Sequence, residues 1–389
     1  MNATMVPYAQ KMSENALRLN AICPYYTMFP IDFPLEQLAA KPDTTRVLDP
    51  FCGRGTTLYA ARLLGIPSVG IDINPVAVAI TQAKLTQVTP QAVIRLARQI
   101  LRTEEHDNVP TGEFWQWCYE RETLREIVTL RTRLMSLATP TAAMLRAVIL
   151  GILHGPQNKG LPSYLSNQMP RTYASKPAYA VKFWKTRNMT PVRIPTLDVI
   201  TRRVNRLLEA SPIASGGRVH LGDSVEKLGE LQQKFDLVVT SPPYYGMRTY
   251  VADQWLRSWF IGGPSEVAYG TNGQIARQPN KDSFIQALAD VWSATARRCK
   301  PNARLAIRFG AIPSARTDPE EMISETIARS EAAWEIKDIR PAGISPKRAR
   351  QAEQFGRAGS AIDEVDIVAE LTGRRSRTLG AQEVLDIRT

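Results

Sequence analysis

Arg46-Val-Leu-Asp-Pro-Phe-Cys-Gly-Arg-Gly-Thr-Thr57 is the stretch from which the fold can be read. A short apolar run ends on an acid and a proline, then turns through Gly53 and Gly55 into a helix-competent segment, Thr57 to Leu64. Strand, glycine turn and helix in that order open a βαβ unit. Glycine permits the sharp turn and a close approach to a ligand, because no Cβ intrudes. In doubly wound sheets ligands bind at this place, the carboxyl end of the first strand. The pattern is not Gly-x-Gly-x-x-Gly, and no lysine follows as in a phosphate-binding loop, so a dinucleotide or triphosphate is the weaker reading. An acid at the strand tip suits a ligand with a cationic amino group; a plain strand-to-helix turn is the alternative.

Outward from this stretch the same rhythm continues. Ser68 to Ile73 reads as a second strand, followed by a helix from Pro75 to Leu85 with its proline in the first turn. Arg218–Gly222 and Phe235–Thr240 repeat the strand pattern, with a helix over Val225–Gln233 between them. Asp282–Cys299 is amphipathic, Ala303–Phe309 is a strand, and Glu335–Arg340 and Glu364–Leu371 read as two closing strands. Seven strands alternating mostly with helices predict an α/β, doubly wound sheet. Thr89 to Ser215 interrupts it, helical in period to Leu137 and then irregular and punctuated by prolines. The expected division is therefore 1–88, an insertion over 89–215, and 216–389.

Composition narrows the class. Of 389 residues 44 % are hydrophobic and 22 % charged, which excludes a wholly disordered, collagen-like or multi-span membrane chain. Forty-nine Lys and Arg against 37 Asp and Glu leave +12, pointing to a polyanionic partner or to simple solubility. The charge is concentrated: Gly151 to Ser215 holds ten Lys or Arg against two Asp or Glu, interleaved with Tyr164, Tyr173, Tyr179, Phe183 and Trp184. Arg171, Lys176, Lys182, Lys185, Arg187 and Arg193 are candidates for phosphate contacts, and Arg248, Lys347 and Arg348 extend the set. Each alone also reads as a solvated surface charge. The four cysteines are far apart and the histidines number three, so no metal site can be written from the spacings. Ala142–Leu153 is too short to cross a bilayer and the first ten residues do not look like a secretory signal, so a cytoplasmic protein without membrane contact is expected.

Two further strand ends carry acids. Asp72, followed by Ile73, ends the second strand some twenty residues past the glycine turn, where a carboxylate accepts both ribose hydroxyls of a nucleoside. Asn74 before Pro75 supplies the helix cap instead. Asp223-Ser224 follows the third strand, and Asp223 serves equally as an acceptor for an adenine amino group or as a cap. The fourth strand ends in Thr240-Ser241-Pro242-Pro243-Tyr244-Tyr245. Two prolines cannot extend a central strand and hold their carbonyls rigidly. A hydroxyl and a fixed carbonyl then form a two-acceptor notch for an exocyclic amine, beside an aromatic face for stacking. Trp255, Leu256, Trp259 and Phe260 form a stripe at helical spacing, expected to pack against the sheet.

These motifs resemble the S-adenosylmethionine-dependent DNA amino-methyltransferases. Asp49-Pro-Phe-Cys-Gly-Arg-Gly-Thr resembles their cofactor loop, Ser241-Pro-Pro-Tyr244 their catalytic tetrapeptide, and Tyr25-Tyr-Thr-Met-Phe-Pro30 the aromatic segment beside the methionine part of the cofactor. The resemblance implies a Rossmann-like class I methyltransferase fold, a seven-stranded, mostly parallel sheet with one antiparallel strand. It implies S-adenosyl-L-methionine held by Tyr26, Phe29, Pro30, Asp49, Pro50, Phe51, Cys52, Gly53, Gly55, Thr56, Thr57, Asp72, Ile73, Asp223 and Ser224. Ser241, Pro242, Pro243 and Tyr244 would do the chemistry on a base flipped out of double-stranded DNA. Serine at the first position leans toward N4 of cytosine, with N6 of adenine the alternative. The basic insertion resembles a target-recognition region set ahead of the catalytic strand, and whether a restriction or defence-system partner accompanies the protein stays open. Some tRNA methyltransferases share the Asp-Pro-Phe-Cys-Gly loop but usually carry Asp or Asn before Pro-Pro and an RNA-binding domain, for which the roughly 45 residues ahead of the first strand are too few. A non-catalytic DNA-binding subunit is disfavoured by the intact Asp49, Gly53, Gly55, Asp72 and tetrapeptide.

Overall fold

A computed structural model of the chain describes residues 12–25, 29–39, 42, 45–103, 108–157, 160–169, 176–209, 216–246, 254–267, 275, 278–310, 317–342 and 364–374. Its strands are β1 (Val47–Asp49), β2 (Ser68–Asp72), β3 (Arg218–Leu221), β4 (Phe235–Thr240), β5 (Cys299–Gly310), β6 (Ala332–Pro341) and β7 (Glu364–Arg374). They form one sheet in the order β3-β2-β1-β4-β5-β7-β6. β7 runs antiparallel to β5 and β6, and the other pairs are parallel. The order reverses between β1 and β4, and a doubly wound sheet opens its ligand crevice at such a reversal. β1 is an interior strand, with Leu48 beside Val69 on one side and Val238 on the other.

Helices cover both faces. Near the first strands lie α1 (Glu14–Arg18), α2 (Asp32–Leu38), α3 (Thr56–Leu63) and α4 (Pro75–Leu85). The insertion contributes α5 (Pro90–Thr103), α6 (Glu113–Cys118), α7 (Arg121–Met135), α8 (Pro140–Ile152), α9 (Pro177–Thr186) and α10 (Thr196–Leu208). The remaining half adds α11 (Ser224–Glu230), α12 (Trp255–Phe260), α13 (Lys281–Arg297) and α14 (Pro319–Arg329). Successive residues of β1 point to opposite faces, as a strand requires. Val47 packs with Phe33, Ala60 and Leu237, whereas Leu48 packs with Val238, Phe284, Trp292 and Ile307.

The insertion differs from the expectation of an irregular second part. Pro177 stands in the first turn of α9 and Pro195 at the N-cap of α10, so both prolines start helices. Helix α14 adds a further element between β5 and β6; Asp318 caps it by accepting from the Glu320 and Glu321 N–H groups, with Pro319 in its first turn. Helix α11 ends at Glu230, not Gln233, with Gly229 weakening its last turn. The tryptophan stripe is buried, but against the insertion and not against the sheet. Trp115 lies 4.5 Å from Trp259 and 5.8 Å from Trp255, ring centre to ring centre. The insertion shares one core with α4, α12 and residues Leu19 to Tyr25. Helix α8 runs so close to that N-terminal stretch that a Cβ on Gly151 would stand 2.2 Å from the Ile22 carbonyl oxygen.

Candidate active site

The loop from Asp49 to Thr57 is braced on every side. Gly53 donates its N–H to Asp72 Oδ2 at 2.8 Å, and its carbonyl accepts from Thr81 Oγ1 at 2.9 Å. Ser224 donates to the Pro50 carbonyl at 2.6 Å, and Thr57 to the Val239 carbonyl at 3.3 Å. Lys84, fully buried on α4, donates to the Arg54 carbonyl at 2.6 Å and to Asn20 Oδ1 at 2.9 Å. Burial pushes the Lys84 ammonium well below its usual pKa, and the Arg54 guanidinium adds like-charge repulsion. Gly53 and Gly55 sit at φ +50° and +74°, which side chains rarely adopt. A Cβ at Gly55 would meet Thr81 at 2.6 Å, whereas one at Gly53 would meet no atom within 4 Å. The loop is therefore packed behind Gly55 and open over Gly53.

Two carboxylates face this loop. Asp49 is wholly buried at the end of β1; its Oδ1 accepts from Thr240 Oγ1 at 2.7 Å and from the Phe51 N–H at 3.1 Å. Its Oδ2 is buried without a hydrogen-bond partner. Burial pushes its carboxyl up to about 6, against the pull of Thr240, Thr57 and the Phe51 N–H, with a smaller upward push from Asp72. Asp72 is raised to about 6 as well, again chiefly by burial, although the Asn74 and Gly53 N–H groups pull the other way. Its Oδ1 accepts from the Asn74 N–H at 2.8 Å, so the carboxylate is oriented by both loops it joins. Asn74 caps α4 through the Val76 N–H at 2.9 Å, leaving Asp72 free of that task. Ile73 is exposed at 41 %, an apolar side chain beside the acid. Asp223 Oδ1 accepts from Val225 and Glu226 N–H, the cap geometry of α11.

The bond from Thr240 to Asp49 is the hinge of the site. Thr240 immediately precedes Ser241-Pro242-Pro243-Tyr244, so the proline turn leaves β4 directly beside the β1 acid. Pro242 is buried, while Ser241 and Pro243 are half-exposed. Tyr244 differs from the open stacking face expected of it. Its ring is 5 % exposed, edge-on to Phe309 at 5.4 Å, and its hydroxyl donates to Glu364 Oε1 at 2.6 Å. Tyr245 turns instead toward Phe284, 5.3 Å away.

The remaining sequence-derived residues are scattered in role. Phe29 is buried against Phe33 at 5.7 Å, and Pro30 is half-exposed. Phe51 stands edge-on to Trp292 at 6.0 Å, Cys52 is packed, and Thr56 is buried at the start of α3. Tyr26, Arg171, Arg248, Lys347 and Arg348 lie outside the described residues. Of the basic set, Lys176, Lys182, Lys185, Arg187 and Arg193 are exposed on or around α9. Lys185 pairs with Glu113, and Arg193 grips Glu126 through both terminal nitrogens, at 3.0 and 2.5 Å. Arg187 lies over the Phe183 ring at 4.2 Å. Trp184, read among the interleaved aromatics, is core and donates to the Gln168 carbonyl at 2.6 Å. Among the described residues no group of three His, Cys, Asp or Glu could hold a metal, and no helix is long and apolar enough to cross a membrane.

Sequence reasoning missed three supports. Tyr25, not only its neighbour, reaches the site: its hydroxyl accepts from Asn74 Nδ2 at 2.9 Å. Thr240 signalled itself as a hydroxyl on the last residue of β4. Lys84 signalled itself as the one charged residue of α4.

Strand order, the single antiparallel β7 and a glycine loop at the β1 tip define a class I methyltransferase fold. Residues 25–83, which carry β1, β2 and the loop between them, match the family model N6_N4_Mtase, described as DNA methylase. The chain is also 30 % identical over 94 residues to the type II methyltransferase M.SmaI of Serratia marcescens, 24 % of this chain and 26 % of that protein. It thus spans about a quarter of the length of that curated relative. The resemblance to the DNA amino-methyltransferases holds over this segment. Among solved structures, the rRNA methyltransferase AviRa of Streptomyces viridochromogenes aligns over 95 % of this chain and 94 % of its own, at 13 % identity and a TM-score of 0.35. TrmN of Thermus thermophilus aligns over 91 % and 52 %, at 10 % identity and a TM-score of 0.34.

Proposed function

We propose that the chain methylates an exocyclic amino group of a base in double-stranded DNA, N4 of cytosine in the first instance, using S-adenosyl-L-methionine. The observation that carries this reading is the Thr240–Asp49 hydrogen bond, which sets the proline turn next to the glycine loop. The residues present fit the cofactor. Asp49 Oδ2 is a buried acceptor without a partner, and a cationic amino group would satisfy it. Asp72, each oxygen oriented by one backbone N–H, has lone pairs left to accept ribose hydroxyls, Ile73 offers an apolar surface for the adenine ring, and the space over Gly53 admits it closely.

When bound, the cofactor supplies an electrophilic methyl group on a sulfonium. Ser241 Oγ and the Pro242 carbonyl accept from the two amine hydrogens of the target base. That draws the nitrogen lone pair out of conjugation with the ring and aims it at the methyl carbon. The nitrogen–carbon bond would form as the carbon–sulfur bond breaks to leave a neutral thioether, and the nitrogen's surplus proton would then pass by way of the Ser241 hydroxyl to water; no covalent enzyme intermediate is needed, consistent with four packed, unpaired cysteines among the described residues. Flipping the base requires a few kcal/mol.

Labelled S-adenosylmethionine, duplex DNA and nucleoside analysis of the product test this reading. Label at N4-methylcytosine is the expected result. Label at N6-methyladenine would correct the base, and label entering tRNA but not DNA would overturn the substrate.

A further inference from the structure

Because β7 is antiparallel, its first residue, not its last, stands at the edge of the sheet where β4 and β5 end. Glu364 there is the register partner of Gly310, the final residue of β5. Two positions down the same ladder, Arg308 and Asp366 form a buried bidentate pair, both bonds 2.6 Å, which locks β5 to β7 at this register. Glu364 is itself buried, and its carboxylate accepts the Tyr244 hydroxyl at 2.6 Å. The Tyr244 ring also lies over Gly310, where a Cβ would stand 3.0 Å from it. A carboxylate on β7 and an aromatic edge and a glycine at the end of β5 thus fix a side chain that follows directly after two stiff prolines.

We infer that Glu364 is a positioning residue for methyl transfer, holding Tyr244, and through it the Pro242-Pro243 turn, in the arrangement that receives the target amine. The inference rests on the proposed activity. Tyr244 could stay buried without a charged partner, since Phe309 and Gly310 already seat its ring. What the carboxylate adds is one fixed orientation of the phenol, so the notch is set before a base arrives and little freedom is lost on binding.

Steady-state methylation of duplex DNA by wild type, Glu364→Ala, Glu364→Gln, Tyr244→Phe and the Glu364→Ala/Tyr244→Phe double variant tests it, alongside titration of S-adenosylmethionine binding. Glu364→Ala and Tyr244→Phe should each lower kcat about tenfold, the scale of one charge-assisted hydrogen bond, with cofactor affinity within about twofold. Glu364→Gln, which keeps an acceptor oxygen, should recover most of kcat. The double variant should be no worse than the poorer single one. Wild-type kcat in Glu364→Ala, no rescue by glutamine, or losses that multiply in the double variant would each overturn the role of Glu364 while leaving the activity standing. A wild-type chain that binds the cofactor yet labels no DNA would instead overturn the activity, and this inference with it.

Discussion

Asp49 shows how much a single side chain is asked to do. It closes β1, anchors Thr240, shapes the loop through the Phe51 N–H, and still keeps one buried oxygen without a partner. Keeping such a group ionised out of water is unfavourable, which is why its carboxyl rises from 3.8 to about 6. A carboxyl whose folded pKa exceeds its unfolded one stabilises the fold at low pH. For Asp49 that contribution, roughly 3 kcal/mol by linkage, is full below about pH 4 and lost by about pH 6. Asp72 acts in the same direction over the same window. Binding of the proposed cofactor would have the opposite sign, because its amine and ribose donors are best met by the charged forms. Calorimetric titration should show S-adenosylmethionine affinity rising from pH 5 to 7.5 by about tenfold for each carboxylate engaged. Asp49→Asn should bind weakly and lose its share of the pH dependence; an unchanged affinity would mean that this acid does not face the ligand.

At the scale of elements, close backbone packing sets the tolerances. Gly151 on α8 faces the Ile22 carbonyl oxygen, so Gly151→Ala should destabilise the fold by about 2 kcal/mol, read as a lower urea midpoint. Gly53→Ala meets no atom but must hold a left-handed backbone, so it should lower stability by only ~1 kcal/mol while weakening cofactor binding more than Gly151→Ala does. β1, β2 and β4 were legible because each is a short, largely apolar run that ends in an acid or at the Ser241-Pro242-Pro243 turn. The α4 start was legible to the residue, because Asn74 before Pro75 is a cap signal. Helices α9 and α10 were not, since Pro177 and Pro195 read as breakers until their position in the first turn is known. Within the candidate site, Asp49, Asp72 and the proline turn carry the proposed chemistry in their residue types. Glu364 carries none until antiparallel pairing brings it to Tyr244, 120 residues away in sequence.

For the molecule as a whole, +12 is the number that bears on a DNA partner, but the structure divides it unevenly. Arg193 and Lys185 are engaged with Glu126 and Glu113, so part of the positive insertion is neutralised internally. Lys182 on α9 and Arg187, its C-cap residue, remain exposed on the surface that carries this helix. If that face tracks the duplex, each phosphate contact contributes about 0.9 to the slope of log affinity against log salt. Lys182→Ala with Arg187→Ala should therefore flatten that slope by roughly 2, with little loss of thermal stability. Arg193→Ala should do the reverse: it strips Glu126 of its partner across the α7–α10 connection, lowering stability while leaving the slope close to wild type. Filter-binding isotherms on one duplex from 50 to 200 mM salt, read beside melting curves, separate the two. A slope changed by Arg193→Ala but not by the α9 pair would place the DNA on a different face of the insertion.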